Sequence, residues 1–305
     1  MLPIDIYHEI LRESLCKNIS PTALSLVCSL FHDIVQQVLY TYLRFKSRSQ
    51  LILFTLTYRT NSTKIPLPPR RIGLDILGND SHLVFADLYD LFSGCFSDPL
   101  FHGANVDESG RLLLDELSLR LNSHAFDRKL DMIYTSLSLI RFRWTGPDPP
   151  HHFSIAIVPP AIPRLFSALS RYTCLEDLEL SHLAIGVDTA SQLPVIPSLR
   201  RVHLGQIILL SPLMIARLIL HPATSELETV TLVDAYRESI WGPRLRGIDV
   251  ERAAEALTQT GAEDVKNSSL LDVEHAKTLI KTKLRCEAKT ERIIGGDRVD
   301  AGILI

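Results

Sequence analysis

The chain has no long hydrophobic run. Its longest apolar stretch, Ile207 to Leu220, is too short to cross a bilayer and contains Pro212 and Arg217. Excess charge is also lacking. A net charge of −3 over 305 residues exerts little pull toward nucleic acid or an anionic membrane. Cysteine is sparse and unpatterned. The five thiols (Cys16, Cys28, Cys95, Cys174 and Cys286) are odd in number and include no C-x-x-C pair, which argues against a disulfide framework or a zinc knuckle. Reduced thiols, mostly small buried hydrophobes, are expected. The N-terminus lacks the basic region and apolar core of a secretory leader, so a cytoplasmic or nuclear location is expected. Also missing are G-x-G-x-x-G, a Walker loop, G-x-S-x-G and H-E-x-x-H. No cofactor, no metal site and no catalytic residues are expected. His151-His152 are adjacent, point in different directions and have no third ligand at regular spacing. The acid pairs Asp115-Glu116 and Glu176-Asp177 fall inside strand-like units and do not read as opposed catalytic carboxylates. The Arg244 to Arg252 cluster mixes signs and reads as a solvated face.

What is present is the composition of a folded chain, 46% hydrophobic and 22% charged. The length suits one elongated domain or two compact ones. The first forty-odd residues pattern as three short helices. Pro3 suits a first helical turn, and Asp5 and Glu9 complement the positive end of the dipole. Ile6, Ile10 and Leu15 make a stripe that Tyr7 and Leu11 widen. Ser20-Pro21 signals a second helix, with Leu24, Val27 and Cys28 on its inner face. A third carries Phe31, Ile34, Val35, Val38, Leu39 and Tyr42, while Leu26 and Leu30 fit no inner face. Such a module buries little core, and without a disulfide or metal it needs something to lean on. If that support is the rest of the chain, its apolar residues are covered. If it is another protein, some stay exposed.

These residues resemble the F-box, whose pattern over roughly 40 residues is Leu-Pro-x-Glu-Ile/Leu, an Ile-Leu pair, then Leu-x-x-Val-Cys-x-x-Trp/Phe. Here it reads Leu2-Pro3-x-Asp5-Ile6, Ile10-Leu11 and Leu24-x-x-Val27-Cys28-x-x-Phe31. Asp5 stands for the usual Glu, and Phe31 for the commoner Trp. The resemblance implies docking on a Skp-type adaptor of a cullin–RING ubiquitin ligase. Adaptor contacts would fall among Leu2, Pro3, Ile6, Ile10, Leu24, Val27, Cys28 and Phe31; some of these must form the module's own core.

Arg44 to Tyr58 reads as a further helix, and Asn61 to Arg71, with Pro66, Pro68 and Pro69, as a boundary. Beyond it L-x-x-L-x-L recurs, starting at Leu114, Leu137, Leu175, Leu199 and Leu227, with spacings of 23, 38, 24 and 28 residues. An earlier strand, Ile72-x-Leu74-x-Ile76, and a helix from Val84 to Phe92 look like a degenerate first unit. Each alternating triplet makes a strand with one buried face, and one unit cannot bury that face alone, so neighbours must stack. The pattern resembles the leucine-rich repeat, irregularly, with its usual Asn only at Asn122. Glu179, Ser181, Arg201, His203, Thr229 and Thr231 are the expected outward strand residues. Asp249 begins a helix through Leu257, and Asp272 to Arg285 forms an amphipathic one, both capping the solenoid.

The expected fold is therefore α/β: a three-helix F-box over 1–43, a helical bridge and Pro-rich linker over 44–71, an irregular leucine-rich-repeat-like solenoid with a parallel sheet over 72–247, and a helical cap and tail over 248–305. The two resemblances in this order are similar to the divergent fungal F-box/leucine-rich-repeat proteins. They imply a non-enzymatic substrate-recognition adaptor of an SCF-type ligase, which binds a Skp-type adaptor and an unknown protein substrate, and neither nucleic acid nor membrane. The alternative is a leucine-rich-repeat interaction scaffold with no ubiquitin-ligase role.

Overall fold

A computed structural model of the protein describes residues 3–17, 19–60, 68–76, 83–96, 106–122, 137–146, 155, 157–185, 193–260 and 273–290. The fold is α/β. Eight strands form one parallel sheet in sequence order: β1 Tyr42–Phe45, β2 Arg71–Asp75, β3 Leu112–Arg120, β4 Leu137–Thr145, β5 Asp177–Ser181, β6 Arg201–Gly205, β7 Thr229–Val233 and β8 Leu284–Glu287. The sheet is open, with β1 and β8 at its edges. The helices among the described residues are α1 Ile4–Cys16, α2 Pro21–Ser25, α3 Ser29–Thr41, α4 Arg48–Thr60, α5 Val84–Cys95, α6 Ile162–Leu169, α7 Pro212–Leu220, α8 Gly247–Thr260 and α9 Val273–Lys283. None is long and apolar enough to cross a membrane.

Parallel sheets usually bury both faces and read as continuous apolar runs. Here the two residues that each strand gives to the core are separated by one residue that faces the other way, so one face is apolar and the other polar. Two apolar rows cross the sheet in register. One runs Leu43, Ile72, Leu117, Phe142, Leu178, Val202, Val230 and Leu284; the other Phe45, Leu74, Leu119, Trp144, Leu180, Leu204, Leu232 and Cys286. Helices α4 to α9 lay residues such as Leu51, Leu88, Leu165, Ile215, Val250 and Ile280 onto these rows in one continuous core. Trp144 sits at its middle, fully buried, and its indole N–H donates to the Leu121 carbonyl at 3.0 Å.

The expected strands at Ile72, Leu114, Leu175, Leu199 and Leu227 all appear, and four of the five repeats keep the predicted register. The second does not. Leu117 pairs with Phe142 and Leu119 with Trp144, so the unit begins at Leu139, two residues later than Leu137. Both frames satisfy period two, and the larger Phe142 and Trp144 fill the core better than Ile140, which stays half-buried. Two strands were hidden in helical patterns. The expected bridge helix over Arg44 to Tyr58 starts only at Arg48, because Leu43 and Phe45 extend the apolar rows as β1. Leu284 likewise leaves α9 for β8. Arg244, expected on a solvated face, is instead fully buried.

The first three helices keep a separate small core of Leu11, Ile34 and Val35, on which Tyr7, Leu24, Leu30, Phe31 and Val38 pack. The rings of Tyr7 and Phe31 lie 5.8 Å apart. The buried stripe of α1 is therefore Tyr7 and Leu11, and the Ile6–Ile10 stripe faces outward. Val27 and Cys28, expected inside, are also exposed, because α2 ends at Ser25 and both lie in the turn before α3. Leu39 and Tyr42 are partly exposed too, whereas Leu30 is half-buried. His151 and His152 lie outside the described residues.

Candidate functional site

The polar face of the sheet is built from three rows of side chains, one residue per strand. The first runs Tyr42, Arg71, Glu116, Arg141, Asp177, Arg201 and Thr229. The second runs Arg44, Gly73, Ser118, Arg143, Glu179, His203, Thr231 and Arg285. The third contains Asp75, Arg120 and Thr145 at one end and Ser181, Gly205, Val233 and Glu287 at the other. All six residues expected to be exposed on the strands, Glu179, Ser181, Arg201, His203, Thr229 and Thr231, lie on this face, but Ser181 is buried there. Gly73 and Gly205 are its low points. A Cβ on Gly73 would stand 2.9 Å from the Tyr42 hydroxyl, and one on Gly205 would stand 2.8 Å from Ser181 Oγ.

Neighbouring strands carry opposite charges, and these interlock. Glu116 faces Arg141 at 3.5 Å and Arg143 at 3.6 Å. Asp177 accepts from Arg141 at 2.9 Å and from Arg201 at 2.5 Å. Glu179 accepts from Arg143 at 2.6 Å, and Asp75 is shared by Arg44 at 3.0 Å and Arg120 at 3.4 Å. Burial pushes the Asp177 carboxyl up, but the hydrogen bonds from Arg201 and Arg141 outweigh it and hold the group below its ordinary range. The same bonds raise Arg141 and Arg201. Burial is the main cause that lowers the His203 imidazole. The acid pairs Asp115-Glu116 and Glu176-Asp177 are thus not opposed carboxylates. Asp115 is held by Arg70 at 2.9 Å, and Glu116 and Asp177 belong to the ladder. No group of three metal-ligating side chains occurs among the described residues.

The C-terminal ends of the strands turn sharply. His182, Gln206 and Asp234, each just past β5, β6 or β7, adopt positive φ of 63°, 50° and 49°. Each donates its N–H to the last carbonyl of the next strand: Gly205, Val233 and Glu287, at 3.0, 2.7 and 3.0 Å. These turns form the floor of a cavity of about 820 Å³ that runs from Arg120 past β8 to Lys289 and Thr290. His182 accepts the Gly146 N–H through Nδ1 at 3.1 Å, which leaves Nε2 to carry the ring proton in the neutral tautomer. Asp234 is almost fully buried. It meets Arg244 Nε at 3.0 Å and accepts the backbone N–H groups of Lys289 and Thr290 at 3.2 and 3.1 Å. A smaller cavity of about 260 Å³ lies over Arg141, Asp177, Arg201 and Thr229.

Arg120, His182, Gln206, Asp234 and Lys289 were not legible as site residues. The usable signal is positional: His182, Gln206 and Asp234 occupy the same place in three repeats, immediately before Leu183, Ile207 and Ala235.

The expected adaptor contacts divide clearly. Leu2 lies outside the described residues. Pro3 is exposed at the start of α1. On α1, Ile6 and Ile10 are 45% and 47% exposed and one turn apart, hence on one face. Val27 is 62% exposed beside Leu26 at 80%, and Cys28 is exposed. Leu24 and Phe31 are half-buried against the small core. No protein-family profile, curated protein or solved structure matches the chain.

Proposed function

We propose that the chain is the substrate-recognition adaptor of a cullin–RING (SCF-type) ubiquitin ligase. In this reading residues 1–43 act as an F-box that docks on a Skp-type adaptor, and the strand-and-helix units are a divergent leucine-rich-repeat solenoid whose polar face holds a protein substrate. One observation carries it. The small N-terminal module leaves Ile4, Ile6, Ile10, Leu26 and Val27 exposed after its own core and the main core are packed. A cap on the sheet has no use for such residues, whereas a docking surface does. Pro3, Ile6, Ile10, Val27 and Cys28 are then the adaptor-facing positions, and Leu24 and Phe31 support them from inside. The protein works by proximity: it raises the effective concentration of a target lysine near the conjugating enzyme.

The test is co-purification of the full chain with a co-expressed Skp-type adaptor. Ile6→Asp with Val27→Asp places charges on exposed positions, so the thermal transition should stay put while adaptor recovery falls at least tenfold. Unchanged recovery refutes the docking surface and leaves the interaction-scaffold reading.

A further inference from the structure

The charged side chains that line the strand-end cavity are all paired. Arg120 meets Asp75, Lys289 meets Glu287, Glu179 is held by Arg143 and Asp234 by Arg244. A charged ligand would have to break one of these pairs. What the cavity leaves free is uncharged. Ser181 is only 9% exposed, yet its hydroxyl lines the cavity and makes no hydrogen bond among the described residues. A buried hydroxyl without a partner needs a reason. The His203 imidazole and the Thr145 hydroxyl also line the cavity and make no hydrogen bond among the described residues. Ser181 and His203 converge over Gly205. The position a Cβ would take there lies 2.8 Å from Ser181 Oγ and 3.6 Å from His203 Nε2. Because residue 205 has no side chain, the space above it is open to a ligand atom.

We propose that this cavity binds a small uncharged saccharide, with one sugar hydroxyl between Ser181 and His203 over Gly205 and another at Thr145. A hydroxyl and a neutral imidazole can each donate or accept, and burial favours the neutral ring at His203. Two such groups aimed at one point suit a single atom that donates to one and accepts from the other, which is a hydroxyl oxygen. A carboxamide splits those roles between two atoms, and a carboxylate or an ammonium brings a charge that the paired walls do not match. Thr145 and Ser181 follow the paired Trp144 and Leu180 on neighbouring strands, so they stand about 4.8 Å apart. Side chains on one face of an extended peptide recur only every 6.6 Å or so, about two residue rises. Hydroxyls spread around one sugar ring match the closer spacing. The cavity volume of about 820 Å³ lies in the range of ligand sites. The site goes beyond the adaptor reading and does not depend on it.

Saturation-transfer NMR on the full-length chain tests it. The probes are glucose, galactose, mannose, N-acetylglucosamine, maltose and lactose, with glucuronic acid and glucose 6-phosphate as charged controls. At least one neutral sugar should receive saturation, and the charged controls at least fivefold less. Ser181→Ala should cut that signal at least fivefold while the thermal transition holds or rises, because the hydroxyl it removes has no partner in the fold. A purely structural serine would lower the transition instead. Gly205→Ala with Ser181→Ala puts a methyl at the contact point, 3.5 Å from the Cβ of residue 181. That chain should stay folded and give no signal. Transfer to no neutral sugar, equal transfer to the charged controls, or a signal unmoved by Ser181→Ala overturns the proposal. Adaptor co-purification is an independent measurement. Its failure beside sugar binding removes the ligase reading and leaves the cavity site, and the reverse result removes the cavity site alone.

Discussion

The buried Asp234–Arg244 pair should decide whether the last strand stays on the sheet. Both side chains are essentially withdrawn from water, at 1% and 0% exposure, and their charged atoms are 3.0 Å apart. Asp234 also ties down the segment after β8 through two backbone N–H groups, and Arg244 donates to the Thr290 carbonyl and hydroxyl. Removing one partner leaves the other charge buried, which costs about 3–5 kcal/mol. Asp234→Ala adds a left-handed alanine at φ 49°, for about 1–2 kcal/mol more. Asp234→Asn keeps the shape, an acceptor oxygen and tolerance of that backbone, so it should cost about 3 kcal/mol. Arg244→Met should cost a similar amount. The double variant replaces the pair by neutral groups and should cost only about 1–2 kcal/mol, a coupling of at least 2 kcal/mol.

Urea unfolding followed by tryptophan fluorescence reports the main core through Trp144, which is fully buried. Hydrogen exchange of Leu284–Glu287 reports β8 itself, because end units of a stacked array open locally. Single variants should speed exchange in β8 far more than in β4. Single costs under about 1 kcal/mol, or costs that simply add in the double variant, would refute the reasoning.

Trp144→Phe loses the indole bond to the Leu121 carbonyl and part of the packing on Phe85 and Phe142, so the urea midpoint should fall by the equivalent of about 2–4 kcal/mol; a change under about 0.5 kcal/mol contradicts the central role given to this side chain. His203 is lowered by burial, so below about pH 6.5 the unfolded chain takes up the proton first; its contribution is present above that pH and lost as pH falls toward the folded value. His203→Gln should flatten the stability decline in that window, and a wild-type slope would show that the imidazole is not its source. Asp177 has a depressed folded value, so its contribution is present above about pH 3.8 and lost as pH falls through the lower folded one. Asp177→Asn should remove that part of the acid limb of a stability profile; retention of the full limb would place the effect elsewhere.

Much of the architecture is legible because burial on a stacked parallel sheet obeys a two-residue period. Leu178-x-Leu180, Val202-x-Leu204 and Val230-x-Leu232 announce β5, β6 and β7, and Ser211-Pro212 announces α7. The misses share a cause. Leu43-x-Phe45 and Leu284-x-Cys286 are too short for a period to register, and each abuts a helix whose own spacing absorbs the first residue. In α1 the pairs Ile6–Ile10 and Tyr7–Leu11 both have helical spacing, and composition favours isoleucine for the core. Tertiary packing reverses this, since the Tyr7 ring has Phe31 to meet. Asp234 and Arg244 are ten residues apart in an apparently polar stretch, and only the fold makes them a buried pair. Arg120 and Lys289 are further still from any local signal, because what joins them is the order of six strands.

That strand order also sets the charge pairing of the open face. Along β3 to β7 each acid of the ladder meets an arginine of a neighbouring strand: Glu116 faces Arg141 and Arg143, Asp177 lies between Arg141 and Arg201, and Glu179 is held by Arg143. A ligand on that face must displace internal partners, and exposed ion pairs exchanged for intermolecular ones return little net free energy. The strand ends are paired as well: the turns at His182, Gln206 and Asp234 spend their backbone donors on the sheet, Glu179 and Asp234 are held by Arg143 and Arg244, and Arg120 and Lys289 meet Asp75 and Glu287 at 3.4 and 3.7 Å. Substitutions in the ladder, such as Asp177→Asn, should therefore change stability and acid sensitivity before they change anything the face binds.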